Sequence, residues 1–429
     1  MNKKLITLAV AAAMAAPAAA FAEATLYGKA HVSIDYVDVD QNAKAFGPGT
    51  ALWTKVPNVP LDPDQLVTNP VTGQVVIDPV TGEPVVVPGA GFNGWDLSSN
   101  GRASRIGVKG SEDLGSGLKA IYQIEFSITM ADANGTIDDG DKGSVGMRNS
   151  FVGLAGGFGT FLIGRHDTPG KISTGKLDMF ADTLADYNKT LGFQDIRADN
   201  VIAYISPSFA GFQFAGAVIP AGGATPLGWS TDPGNADGIA DAWSVAGIYS
   251  NGPFYASLSY ESLGSDMWDN NNDIDPDTGL TFYDGRFGYG STADDMNTWK
   301  IGLGLLDWNG FTLSGVYEKQ ESILGAPKKA DMDIWQIQAG YAFGNNKIYG
   351  AYGQSDVESC VGASYIGTCN ITSGVQPFFL NNKDWNNWSV AFDHNFSKRT
   401  KAYALYTAVD ADQQDSDWSG FSLGMIHKF

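Results

Sequence analysis

TLYGKAHVSIDY, residues 25–36, alternates without a break. Leu26, Gly28, Ala30, Val32, Ile34 and Tyr36 fall on one side of an extended chain. Tyr27, Lys29, His31, Ser33 and Asp35 fall on the other. Period two over a dozen residues predicts a strand with one apolar and one wetted face. The rule returns at 118–128, where Leu118, Ala120, Tyr122, Ile124, Phe126 and Ile128 oppose Lys119, Gln123, Glu125 and Ser127. It returns again at 334–343, where Trp335, Ile337, Tyr341 and Phe343 share a side. Strands of about 9–11 residues suffice to cross a bilayer when tilted.

Sixteen such runs can be counted between 24–37 and 417–429. Their connectors alternate in length. Gly156-Gly157, Ala210-Gly211, Asn309-Gly310, Asn345-Asn346 and Lys398-Arg399 suit tight hairpins, because Gly and Asn tolerate positive φ. Between them lie long polar segments, including 38–96, 129–147, 167–198, 220–239 and 263–297. Short turns on one rim and long loops on the other predict an all-β fold, a transmembrane antiparallel β-barrel of 16 strands. A soluble sandwich would not order its loops this way. Nor would it place Trp243, Trp299, Trp308, Trp335, Trp385, Trp388 and Trp418 near strand ends, where aromatic girdles lie.

Composition agrees. Glycine is 53 of 429 residues, cysteine only two, and the formal charge is −20. No run of 18 apolar residues predicts a spanning helix. An acidic chain is a poor match for nucleic acid. Residues 1–22 read as a secretory signal peptide: Lys3 and Lys4, an apolar stretch from Leu5, then Ala20-Phe21-Ala22 with cleavage after Ala22. Residues 23–429 would then form the barrel.

The segment from Asp167 to Arg197 is too long for a hairpin turn. Asp178, Asp182 and Asp186 recur every four residues, which predicts one side of a helical turn or two. Leu177, Phe180, Leu184 and Tyr187 fall opposite. The segment could press its apolar side to a wall and show three carboxylates to an opening.

Other features are local. Cys360 and Cys369 share one long segment, and export favours their oxidation to a disulfide. The run Asp266–Asp277 resembles the start of an EF-hand but has Ile274 where glycine is needed and Leu280 where glutamate is needed. No metal site or cofactor is expected. NPVTGQVVI at 69–77 is echoed by DPVTGEPVV at 78–86, turn chemistry followed by strand formers, which predicts a protruding ribbon. Among His31, His166, His394 and His427, none stands in a nucleophile motif, and Gly-x-Ser-x-Gly is absent. No enzyme activity is expected.

Several stretches together resemble a known family. They are ATLYGKAHVSIDY at 24–36, SRIGVKGSEDLGSGLKAIYQIE at 104–125, RNSFVGLAGGFGTFLIGRHDTP at 148–169, GKLDMFADTLADYN at 175–188, RADNVIAYISPSFAGFQF at 197–214 and GMIHKF at 424–429. The chain resembles a Gram-negative general diffusion porin, the 16-stranded trimeric kind. The resemblance implies a cell outer-membrane channel for passive diffusion of ions and small hydrophilic solutes, surrounded by lipid and lipopolysaccharide. It implies a third outer loop, 167–198, folded inward, with Asp178, Asp182 and Asp186 facing a basic wall. Lys29, Arg105, Lys119 and Arg148 resemble that basic cluster, and Arg197 is a further candidate. It also implies a homotrimer, and recognition of the terminal Phe429 by the barrel-assembly machinery. A substrate-specific outer-membrane channel is the alternative.

Overall fold

The computed structural model describes residues 23–40, 92–98, 102–131, 145–220, 238–264, 272–274, 281–283, 295–322, 331–358, 384–412 and 417–429. The expected signal peptide, Cys360 and Cys369, the repeat at 69–86 and most of the acidic run lie outside these residues.

Sixteen antiparallel strands form the wall. They are β1 (Glu23–Val39), β2 (Arg105–Gly115), β3 (Leu118–Ile128), β4 (Ser150–Gly156), β5 (Gly159–Asp167), β6 (Arg197–Ile205), β7 (Phe212–Ile219) and β8 (Ala242–Asn251). The second half comprises β9 (Phe254–Leu263), β10 (Met296–Trp308), β11 (Phe311–Glu321), β12 (Asp331–Phe343), β13 (Asn346–Glu358), β14 (Trp385–Asn395), β15 (Thr400–Ala411) and β16 (Trp418–Lys428). Each pairs with its sequence neighbour. β1 also pairs with β16, from Lys29 opposite Lys428 to Val39 opposite Trp418, and this closes the ring. Two short pieces extend the wall. Phe92–Ser98 pairs with the upper part of β1, and Val145–Met147 with the end of β3.

The wall is inside-out relative to a soluble protein. Leu26 and Ile34 are 60% and 48% exposed, whereas His31 between them is fully buried. The exposed apolar rows turn outward toward hydrocarbon, and the polar rows are covered from within. Closure gives each of the sixteen strands two neighbours, which removes the open edges that a flat sheet would keep. Two tight turns use left-handed backbone at both central residues: Ala210 and Gly211 have φ 50° and 92°, Asn309 and Gly310 have 52° and 88°.

The girdle expectation needs correcting. Trp243, Trp299, Trp308 and Trp388 are exposed, but Trp385 and Trp418 are buried on the inner side. The Trp385 indole donates to the Thr190 carbonyl at 3.1 Å, so it holds an internal segment. That segment, residues 168–196, leaves the wall after β5 and returns at β6. It contains two short helices, α1 (Pro169–Thr174) and α2 (Tyr187–Thr190), joined by turns.

Candidate functional site

The internal segment packs on the inner faces of β8 to β16. The Gly170 N–H donates to the Ser244 hydroxyl at 3.0 Å, and Tyr255 donates to the Ser173 carbonyl at 2.8 Å. Ser314 donates to the Leu177 carbonyl and Ser355 to the Leu191 carbonyl, at 2.8 and 2.6 Å. Leu177, Phe180, Leu184 and Tyr187 are all buried, as their spacing predicted. Leu177 and Leu184, with Leu191 further on, seat where the wall lacks side chains. A Cβ built on Gly302 would lie 2.5 Å from Leu177, one on Gly353 2.5 Å from Leu191, and one on Gly420 2.6 Å from Leu184. These glycines are sockets for the segment's leucines.

A buried ionic cluster holds the returning arm. Lys300 on β10 lies 3.0 Å from Asp195 and 3.0 Å from Glu318 on β11. The Lys300 ammonium also donates to the Gln194 carbonyl. The Gln194 N–H donates to Glu318 at 2.8 Å and its side-chain amide to Glu261 on β9 at 2.9 Å. Lys300, Glu318 and Glu261 are buried. Alternation does not mark the cluster: it puts Lys300 on the polar face of its strand, but no spacing ties that residue to Glu318, Glu261 or Asp195.

The three aspartates do not share one side of a helix. Residues 175–186 are a series of turns, and Asp182 takes a left-handed φ of 64°. Asp186 is turned into its own segment. It caps α2 by accepting from Asn188 N–H at 3.1 Å, and it accepts from Asp182 N–H at 2.7 Å. Asp178 accepts from Phe180 N–H at 2.8 Å and from Gln338 at 3.0 Å. Burial pushes the carboxyls of both Asp178 and Asp186 above the ordinary range. Only Asp182 reaches the opposite wall, where Lys29 on β1 donates to it at 2.6 Å.

Around Lys29 the wall carries a connected charged row. Lys29 stands directly opposite Arg105 on β2. Arg148 lies in the break before β4, where its N–H donates to the Glu125 carbonyl at 2.8 Å. Its guanidinium Nε then donates to the Glu125 carboxylate on β3 at 2.7 Å, and Arg105 approaches the same carboxylate at 3.6 Å. Tyr27 donates to it at 2.9 Å, crossing above Gly107 on the intervening strand. A Cβ on Gly107 would meet the Tyr27 ring at 2.6 Å, so this glycine clears the path.

Two expected wall cations stand elsewhere. Lys119 is exposed beside the β2–β3 turn, six residues along β3 from Glu125, a separation of about 20 Å at strand rise. Arg197 is at the base of the segment, donating to Asn149 at 2.6 Å and paired with Asp167 at 2.9 Å. Arg165 pairs with Asp199 at 2.5 Å, beside a register shift between Gly164 and His166. Arg102 is fully buried and donates to Ser33 and Asp35 of β1.

The Asp182 carboxyl is pulled two ways. Burial raises it, but Lys29, with Arg105 and Arg148, draws it below the usual carboxylate range. The lowered value means the charge, and the bridge it makes, persist above the unfolded value and vanish only as pH falls through the folded one. Ion selectivity that depends on Asp182 should therefore stay flat from pH 7 down to about pH 4 and change below that, as read by reversal potentials over that range.

A closed wall, an outward apolar surface and charged side chains inside are the architecture of a water-filled membrane channel. The family model described as Gram-negative porin matches residues 7–414. The chain belongs to the Gram-negative porin family. An outer membrane porin protein of Bordetella pertussis is 26% identical over the full length of both chains. Outer membrane porin protein 32 of Delftia acidovorans is 33% identical over 39% of this chain and 47% of its own. Among solved structures, an anion-selective porin from Comamonas acidovorans has a TM-score of 0.58 at 18% identity, covering 95% of this chain and 100% of that one. A trimer form of the Vibrio cholerae outer membrane protein OmpT has a TM-score of 0.55 at 12% identity, covering 95% and 99%. At those identities the likeness shows the fold. This porin is an outer-membrane channel for passive diffusion, not an enzyme.

Proposed function

We propose that residues 168–196 narrow the channel, and that small hydrophilic solutes and ions pass between Asp182 and the wall cations Lys29, Arg105 and Arg148. The observation that carries this is the 2.6 Å contact from Asp182 across to Lys29 on the first strand. Asp182 keeps 37% of its side chain open, so water and solutes reach the pair. Opposed charges in a narrow aqueous slot create a transverse field, which orients dipolar solutes and disfavours apolar ones. Passage then needs no covalent chemistry and no cofactor.

On this reading the three acids carry unequal weights. Asp182→Asn should shift the reversal potential in a salt gradient toward anions. Asp186→Asn should leave it near wild type, because that carboxylate caps a helix inside its own segment. Equal shifts from both, or none from Asp182→Asn, would place the passage elsewhere.

The remaining readings concern the surroundings. The leader would be removed after Ala22, and Cys360 would bond Cys369. The barrel would sit in lipid and lipopolysaccharide as a homotrimer, in keeping with the trimer form of the OmpT neighbour. Phe429 would be read by the barrel-assembly machinery. Its main chain exchanges hydrogen bonds with Gly28 at 3.0 and 3.1 Å, so the chain end is also part of the ring's closure.

A further inference from the structure

We infer that this channel rectifies: it conducts better when its outer side is positive, because its two mouths carry opposite charge. The inference goes beyond the narrow-zone reading and stands whichever residues line that zone. Charge set across a passage biases which ion goes through. Unequal charge along its axis biases which way the current runs.

The long connectors mark the outer mouth and the short turns the inner one. At the outer ends of β10 to β16 stand acids such as Asp295, Glu321, Asp384, Asp410, Asp412 and Asp417. Among the described residues of those ends the one base is Lys319, and it is paired with Asp333 at 3.4 Å. The inner ends of the same strands carry Lys347, Lys398, Arg399, Lys401 and Lys428 against Asp307 and Asp393. Lys401 holds Asp393 at 2.6 Å, and the balance of that mouth is positive. The 12 residues of β15 join one mouth to the other and, once tilted, set them roughly 30 Å apart. The Debye length at 0.1 M salt is about 10 Å, so each mouth keeps its own ion atmosphere. Cations gather at the acidic mouth and anions are kept from it.

A direction follows. With the outer side positive, cations enter through the mouth where they are concentrated. Anions enter through the basic mouth and are held back at the acidic one. Both carriers accumulate in the lumen, and conductance rises. With the polarity reversed, each ion must enter through the mouth that excludes it. The lumen is then drained of carriers, and conductance falls.

Single-channel current–voltage curves in symmetric potassium chloride test this. At 0.1 M salt and 100 mV the currents of the two polarities should differ about 1.5-fold. The difference should vanish at 1 M, where the Debye length is about 3 Å. Lanthanum ions neutralise exposed carboxylates, so about 1 mM on the outer side should abolish the difference, and the same addition on the inner side should leave it. This also orients each inserted channel: the lanthanum-sensitive side must be the one that gives the larger current when positive. Asp384→Asn/Asp412→Asn/Asp417→Asn removes three outer charges but keeps their acceptor oxygens, and should bring the ratio below about 1.2. Asp182→Asn should leave the ratio unchanged. The salt and lanthanum measurements keep the test available if the triple variant fails to insert. Equal currents at 0.1 M, or a larger current when the lanthanum-sensitive side is negative, would overturn the inference. So would a ratio that the triple variant leaves intact and Asp182→Asn abolishes, since the asymmetry would then belong to the narrow zone.

Discussion

Replacing Lys300 with methionine is expected to unfasten the returning arm of the internal segment at a cost of about 3–5 kcal/mol, the usual penalty for stranding buried charge. Glu318 and Asp195 each lose their ammonium partner, and Glu261 remains beside them with only the Gln194 amide. The strands themselves keep all their ladder bonds, so the barrel should still form. The effect should appear as open-channel noise and frequent partial closures. Amide exchange at residues 192–196 should speed up by at least about a hundredfold, because local opening becomes cheaper. Removing Glu318 as well, as Lys300→Met/Glu318→Leu, should recover part of the loss. Unchanged noise and unchanged exchange in the single variant would mean that the segment is held by its leucines alone.

Filling a socket should act in the opposite sense. Gly302→Leu puts a side chain where the Leu177 methyl now lies, with the Ser257 hydroxyl 2.6 Å from the new Cβ. Overpacking of this kind costs about 1–3 kcal/mol when the surroundings cannot shift. Here the wall strand is fixed on both sides by β9 and β11, while the segment is not. The segment should give way, toward the lumen, and single-channel conductance should fall. Leu177→Ala in the same background vacates the space and should restore conductance toward wild type. If Gly302→Leu left conductance unchanged, the socket would not position the narrow zone.

Much of this architecture was legible in the residues. Alternation at 25–36 assigned Leu26 and Ile34 outward and Lys29 and His31 inward, because a strand has only two faces. The apolar side of the internal segment was also legible, although for an imperfect reason. Leu177, Phe180, Leu184 and Tyr187 are spaced as on a helix, yet turns deliver them to the wall. Thr183 and Asp186 spend their side chains on nearby main-chain groups, which holds those turns. That same use of Asp186 removes it from the slot.

What stayed hidden was depth and direction. Parity places Lys119 and Glu125 on one face of β3 but says nothing of their height, and six residues separate a rim from the charged row. Arg148 owes its aim to a strand break, which alternation cannot locate. Trp385 and Trp418 follow from no rule of composition, since an indole suits an interface and an internal hydrogen bond equally well. Gly107 was the one available sign of the Tyr27–Glu125 contact: a missing side chain in a strand marks a close approach.

The row of glycine sockets has a consequence for assembly. Gly302, Gly353 and Gly420 lie on three different strands, and one internal segment must fit all of them together. A strand that slid by two residues would keep its faces correct, and so pass any test of polarity, yet it would carry its gap about 6–7 Å away. The leucine meant for it would then strike a side chain. The plug thus serves as a gauge of shear, and only a ring wound with the right stagger can swallow it.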